Sequence, residues 1–158
     1  MKKTIKKVTK EATPKKYLIL LVDRKQTKMF TMMDGVVLRR EERISSTVPQ
    51  KVKHGDDTWD SQDKIFRHIE EHLHRHLVNV SQEAVAFAKN DHITGWILGG
   101  HKTLFPKIKK HIPYPFSKKI KGEFVTELKA PFGEIIRRAR LAVIRIEEEG
   151  RFKKGVHL

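Results

Sequence analysis

The chain has no cysteine in its 158 residues. That removes disulfides, thiolate metal sites and cysteine nucleophiles, and it suits a reducing compartment. It also has no long apolar run: the roughly 20 apolar residues needed to span a membrane as a helix occur nowhere in it. Its opening, MKKTIKKVTKEATPKK, carries no apolar stretch of the secretory-signal kind. The expectation is a soluble, cytoplasmic protein with no membrane partner. Aromatic residues make up only 8%, so a tryptophan inside a polar segment stands out. Acidic residues number 19 against 34 lysines and arginines, for a net charge of +15. There is no internal repeat, and the length suits one domain with its own core.

The positive excess is concentrated at the ends. Residues 1–16 contain seven lysines and one glutamate, and residues 151–158 add Arg151, Lys153 and Lys154. The expected organisation is a disordered basic arm over 1–16, a single α/β domain over 17–150 and a basic C-terminal tail over 151–158. Basic arms neutralise phosphates and release counterions, so RNA is the partner the charge points to. Lys2, Lys3, Lys6, Lys7, Lys15 and Lys16 are its candidate contacts in the arm. An anionic membrane surface is the lesser alternative, since neither end offers an apolar helix face. A tail that merely solubilises the chain has the same composition.

Strand patterns come before helix patterns. KYLILLVD after Pro14 is a near-continuous apolar run, too short for a buried helix, and it places a doubly covered strand at about Tyr17 to Asp23. A turn at Arg24 to Gln26 leads into TKMFTMM, where Met29, Thr31 and Met33 alternate with Lys28, Phe30 and Met32. Asp34-Gly35 then predicts a type I′ hairpin turn into VVLRREERI. Ser45 to Lys53 is a polar linker. Further on, Trp96, Ile97 and Leu98 form a short buried strand, and Gly99-Gly100 turns the chain into the helix LFPKIKKHI. A glycine pair ahead of a helix suits an anion-cradling loop, but GGHKT lacks the full phosphate-loop spacing, and a tight strand-to-helix turn is the reading the pair supports. KIKGEFVTEL alternates as a further strand. Pro131 opens the last helix, with Ile135, Ile136, Ala139, Ala142, Val143 and Ile146 inward and Arg137, Arg138, Arg140 and Arg145 mostly outward. The fold class expected is α/β, a mixed β sheet opening with an antiparallel meander and helices packed on its faces.

The stretch from Lys51 to Leu77 joins a polar loop to a long helix. The loop holds Gly55, the carboxylates Asp56, Asp57, Asp60 and Asp63, and Trp59. Asp60 or Ser61 can cap the helix. Ile65, Phe66, Ile69, Leu73 and Leu77 then recur at helical spacing as a core stripe, and a break is expected near Asn79 to Ser81. Trp59 has little core to join in such a loop and suits stacking on a base. The aspartates can collect a magnesium ion together with Asp23, although loop aspartates more often serve as turn and cap residues. His68, His72 and His76 repeat every four residues with His74 beside them, which suits a shared metal or a solvated face. No metal and no cofactor is assigned. Arg67, Arg137, Arg138 and Arg140 join Trp59 and the arm lysines as the candidate RNA-binding set.

From Tyr17 to Ile146 the order of these segments resembles the central domain of archaeal and eukaryotic class 1 peptide release factors and of Pelota. It resembles the small bacterial and archaeal release-factor-like proteins more closely still. The phrases that carry the likeness are VDRKQTKMF, SQDKIFRH, WILGGHKTLFPKIKKHIP and KAPFGEIIRRA. The resemblance implies a fold shared with ribosomal proteins of the S11 and L18 kind, of the RNase H-like type, and a ribosome-linked role. In release factors the loop before the long helix carries Gly-Gly-Gln, which brings the backbone to the peptidyl-tRNA end and places the attacking water. Here the matching loop reads HGDDTWDSQ, so no catalytic residue is assigned; Gln62, Asp57 and Asp60 are the candidates in reserve. The function expected is a ribosome- or RNA-associated binding protein, acting on structured RNA or tRNA and without release catalysis. The alternatives are a peptidyl-tRNA hydrolase or metal-dependent phosphodiesterase working through residues 54–63, and a host-attachment-type interaction protein.

Overall fold

The structure, a computed structural model, describes residues 15–44, 59–89 and 91–156. The strands are β1 (Lys16–Val22), β2 (Gln26–Met33), β3 (Val36–Ile44), β4 (Gly95–Gly100) and β5 (Ile120–Val125), and they form one five-stranded sheet in the order β3-β2-β1-β4-β5. β1 pairs antiparallel with β2 and parallel with β4. β5 continues the parallel half beyond β4. β1 is therefore central, and every residue from Tyr17 to Val22 is buried, which is why its sequence runs apolar instead of alternating. Between β2 and β3, Asp34 and Gly35 have φ of 53° and 76°. These are the two left-handed residues that a type I′ turn requires.

Successive residues of β1 feed opposite cores, as the pleat dictates. Leu18, Leu20 and Val22 pack with Met29, Trp96 and Leu98 beneath two helices, α1 (Trp59–Lys89) and α2 (Phe105–Lys109), which contribute Leu77, Phe87 and Ile108 among others. Tyr17, Ile19 and Leu21 pack with Phe30, Met32 and Ile97 beneath α3 (Phe132–Val156), through Ile135, Ala139 and Ala142. The result is a three-layer α/β domain of the class the sequence predicts. Among the described residues no helix is long and apolar enough to cross a membrane.

Several local expectations are corrected. α1 runs unbroken for 31 residues, straight through Asn79 to Ser81. Val80 and Ser81 are buried there, and the Ser81 hydroxyl donates to the Val78 carbonyl at 2.8 Å, so the helix satisfies the polar group that was expected to interrupt it. α1 also begins at Trp59, which puts Asp60 and Ser61 inside its first turn and not at its cap. Lys16 belongs to β1, and α3 continues to Val156 through most of the segment expected as a tail. The core stripe of α1 starts only at Leu73: Ile65 and Ile69 are half-buried, and Phe66 is 67% exposed. At about 1.5 Å per residue, the turns from Trp59 to His72 extend roughly 20 Å ahead of the first buried position. They form a stalk.

Candidate RNA-facing site

β1 and β4 run parallel, with Val22 opposite Gly100, so their carboxyl ends lie side by side and the chain leaves both at the same edge. Gly100 allows the approach: its φ is +123°, and a Cβ there would overlap the Val22 carbonyl oxygen. Gly99 is equally constrained, because a Cβ would run into Leu21 and Phe124 from the strands on either side. Strand packing thus accounts for the glycine pair. α1 reaches the same edge, where His76 Nε2 lies 3.0 Å from the Asp23 carbonyl oxygen. A carbonyl only accepts, so the imidazole carries its proton on Nε2. Burial holds this imidazole below its ordinary value, and the Asp23 bond offsets part of that effect.

The stalk leads away from this edge. Gln62 and Arg67 are exposed on it, and Arg67 shares a shallow groove with Glu70, Glu71 and His74. Trp59 and Asp60 lie in its first turn, their side chains outside the described residues. Asp57, Lys2, Lys3, Lys6 and Lys7 are likewise outside the described residues. The histidine stripe divides. His68 and His72 meet edge to face with their Nε2 atoms 3.1 Å apart, His74 meets His111 at 4.8 Å between ring centres, and His76 turns inward. Among the described residues no group of three or more histidines and carboxylates is placed to hold a metal ion.

Lys16, Arg137, Arg138 and Arg140 have protein partners. Lys16 Nζ pairs with Asp91 at 3.0 Å, and Arg39 reaches the same carboxylate at 3.3 Å. Lys16 first, then Arg39, hold Asp91 below the usual carboxylate range. Arg137 and Arg138 both grip Glu134, at 2.6 and 3.2 Å, and draw its carboxyl down to about 2. Arg138 also donates to the Val125 carbonyl at 3.0 Å. Arg140 donates to the Gly35 carbonyl at 2.7 Å, at the sheet edge opposite the stalk. Lys15 is exposed beside it. The structure therefore puts Gln62 and Arg67 on the stalk and leaves Lys15 and Arg140 at the far edge.

Two features escape the sequence reading. Phe66 is an exposed aromatic on the stalk, hidden in the sequence by a spacing that matched the core stripe. Arg24, Lys25, His101 and Lys129 line one cavity at the carboxyl edge, although they come from three separate loops. Their common signal is position, since each follows the end of a strand.

A search of curated proteins returns no match. Among solved structures, an archaeal translation termination factor, aRF1, aligns over 89% of this chain and 42% of its own, with 17% identity and a TM-score of 0.53. Archaeoglobus fulgidus Pelota aligns over 98% of this chain and 40% of its own, with 13% identity and a TM-score of 0.53. The chain thus spans less than half the length of either protein, and the likeness is one of fold. Sequence relationship comes from the family described as bacterial archaeo-eukaryotic release factor family 10, whose pattern matches residues 12–143. That match takes in every strand, the stalk and the first half of α3, and it places the chain in family 10 of the bacterial archaeo-eukaryotic release factors.

Proposed function

We propose that this chain is a cytoplasmic, ribosome- or RNA-associated binding protein of release-factor type that performs no release catalysis. The observation that carries the proposal is the stalk: helical turns that hold no fully buried side chain among the described residues, with Ile65 and Ile69 only half-buried, and that present Gln62, Phe66 and Arg67 to solvent. A helix that runs for about four turns with so little burial is suited to reaching into a partner. The loop chemistry argues against hydrolysis. In place of Gly-Gly-Gln it has a single glycine, Gly55, among Asp56, Asp57 and Asp60, and each carboxylate held about 4 Å from a phosphate costs on the order of 1 to 4 kcal/mol. Affinity would come instead from the lysines of residues 1–16 through counterion release, with Trp59 stacking on a base.

The test is sedimentation of the full chain with ribosomes at low and high salt, in parallel with release of label from ribosomes carrying labelled peptidyl-tRNA. Expected are co-sedimentation that weakens steeply with salt, a loss of about 1 to 3 kcal/mol in binding for Trp59→Ala, and label release no faster than in buffer. Failure to sediment at low salt would remove the binding role. Release above buffer that drops in Gln62→Ala or Asp57→Ala would make the chain an enzyme.

A further inference from the structure

We propose that the cavity at the carboxyl edge of the sheet, about 520 Å³ in volume, is a phosphate-binding site built on Arg24, Lys25, Lys129 and Thr103. Its charge is one-sided. Among the described residues the sole carboxylate in its lining is that of Asp23, and Asp23 Oδ1 is turned back into the chain, accepting the backbone N–H groups of Lys25 at 2.7 Å and Gln26 at 2.6 Å. Arg24, Lys25 and Lys129 have no ion pair with a carboxylate among the described residues. Lys16, Arg39, Arg137 and Arg138 elsewhere on the molecule all have one. Cations gathered around a cavity and left without a counter-charge raise the local concentration of anions.

The three loops that carry these cations are fixed before any ligand arrives. The turn after β1 is held by the Asp23 N–H to the Gln26 carbonyl at 3.1 Å and by His76 against the Asp23 carbonyl. The Thr126 N–H donates to the Gly100 carbonyl at 3.2 Å, tying the segment after β5 to the end of β4. Lys28 Nζ donates to the Leu128 carbonyl at 2.6 Å, and the Leu128 side chain is buried, so the backbone next to Lys129 is anchored from both sides. Cations on an anchored backbone lose less freedom on binding. The location also agrees with the tendency of open α/β sheets to bind ligands beyond the carboxyl ends of parallel strands.

The lining determines what is recognised. Among the described residues Leu104 is the one apolar side chain and the His101 imidazole the one flat ring of the lining, so the cavity offers hydrogen-bond donors for phosphoryl oxygens and little surface on which a base could stack. Two sources supply that chemistry: a phosphodiester of RNA, which rests on the function proposed above, and a free phosphate monoester, which does not.

The experiment compares the full wild-type chain with an Arg24→Gln/Lys129→Gln variant whose unfolding midpoint confirms that it is folded. The probes are inorganic phosphate and AMP, followed by phosphorus NMR, and a fluorescein-labelled single-stranded RNA titrated at several salt concentrations. If RNA fills the site, the variant binds RNA more weakly and its slope of log K against log salt is shallower by about 1.4, two phosphate contacts on a single strand. If a small phosphate fills it, phosphate and AMP bind the wild type and not the variant, while the RNA slope is unchanged. Wild type and variant that behave alike toward every probe overturn the site. Ribosome sedimentation separates the two proposals. A chain that does not sediment but binds phosphate through these residues keeps the site and loses the function; one that sediments while the variant behaves as wild type toward every probe keeps the function and loses the site.

Discussion

Thr31 is fully buried in β2, and its hydroxyl oxygen has no hydrogen-bond partner among the described residues. A desolvated donor without an acceptor is a standing cost, and a methyl group of the same shape removes it. Thr31→Val should therefore raise stability by about 1 kcal/mol, read as a shift in the urea midpoint; a loss of stability would mean that the hydroxyl has a partner. His76 makes the opposite case, a buried polar group whose bond holds two elements together. Its folded value lies below the ordinary one of about 6.5, so the stability it contributes is present at neutral pH and is lost as pH falls below about 6.5 and through the folded value. The Asp23 and Glu83 charges and the backbone bonds weaken the effect without reversing it. The unfolding midpoint should fall on acidification from about pH 7.5 to 5.5, and by less in His76→Gln, which keeps a donor but cannot titrate. Burial, His74 and Lys110 depress His111 in the same direction, so the variant retains part of the loss. An equal loss in both proteins would assign the acid sensitivity elsewhere.

Along α1 the apolar spacing is continuous but the burial is not. Phe66→Ser on the stalk should change stability by no more than about 0.5 kcal/mol, whereas Leu77→Ala in the packed half should cost about 2 to 4 kcal/mol, both by chemical denaturation. Equal costs would put the stalk against the body. The comparison also shows what a sequence can disclose. Asp34-Gly35 was legible because the turn it makes demands two left-handed residues and few pairs supply them, and β1 was legible because an apolar run too short for a buried helix suits a strand covered on both faces. The reach of α1 past the core was not, since spacing defines a stripe without saying what faces it. Its continuity through Asn79 to Ser81 was hidden for a related reason: weak local preference yields to burial of Val80 and Ser81. Glu134 with Arg137 and Arg138 has the three- and four-residue spacing of helix ion pairs, yet the arginines were read only as outward cations. The cavity cations, spread over loops from Arg24 to Lys129, become neighbours only when β1, β4 and β5 align.

For the whole molecule, the edge strand β3 has a role beyond the sheet. Adjacent residues on a strand point to opposite faces, and Arg39 and Arg40 use this to reach both helical layers. The Arg39 guanidinium lies over the Phe87 ring of α1 at 4.0 Å, and that of Arg40 over the Phe132 ring of α3 at 3.7 Å. The same charges guard an edge that is unpaired among the described residues against strand-to-strand association. An Arg39→Ala/Arg40→Ala variant should lose about 1 to 2 kcal/mol of stability and self-associate in sedimentation velocity runs. A monomer of unchanged stability would leave β3 with no such role. The stalk, finally, makes the molecule a ruler. Because its leading turns bury nothing beyond half of Ile65 and Ile69 among the described residues, their number mainly sets how far the tip stands from the body. Removing residues 64–70 shortens the reach by about 10 Å while turning the tip by only about 20°, since seven residues are close to two whole turns. Such a shortened chain should keep its fold, losing only the half-burial of Ile65 and Ile69, and fail mainly where distance matters, whereas removing five residues would also turn the loop by about 140°.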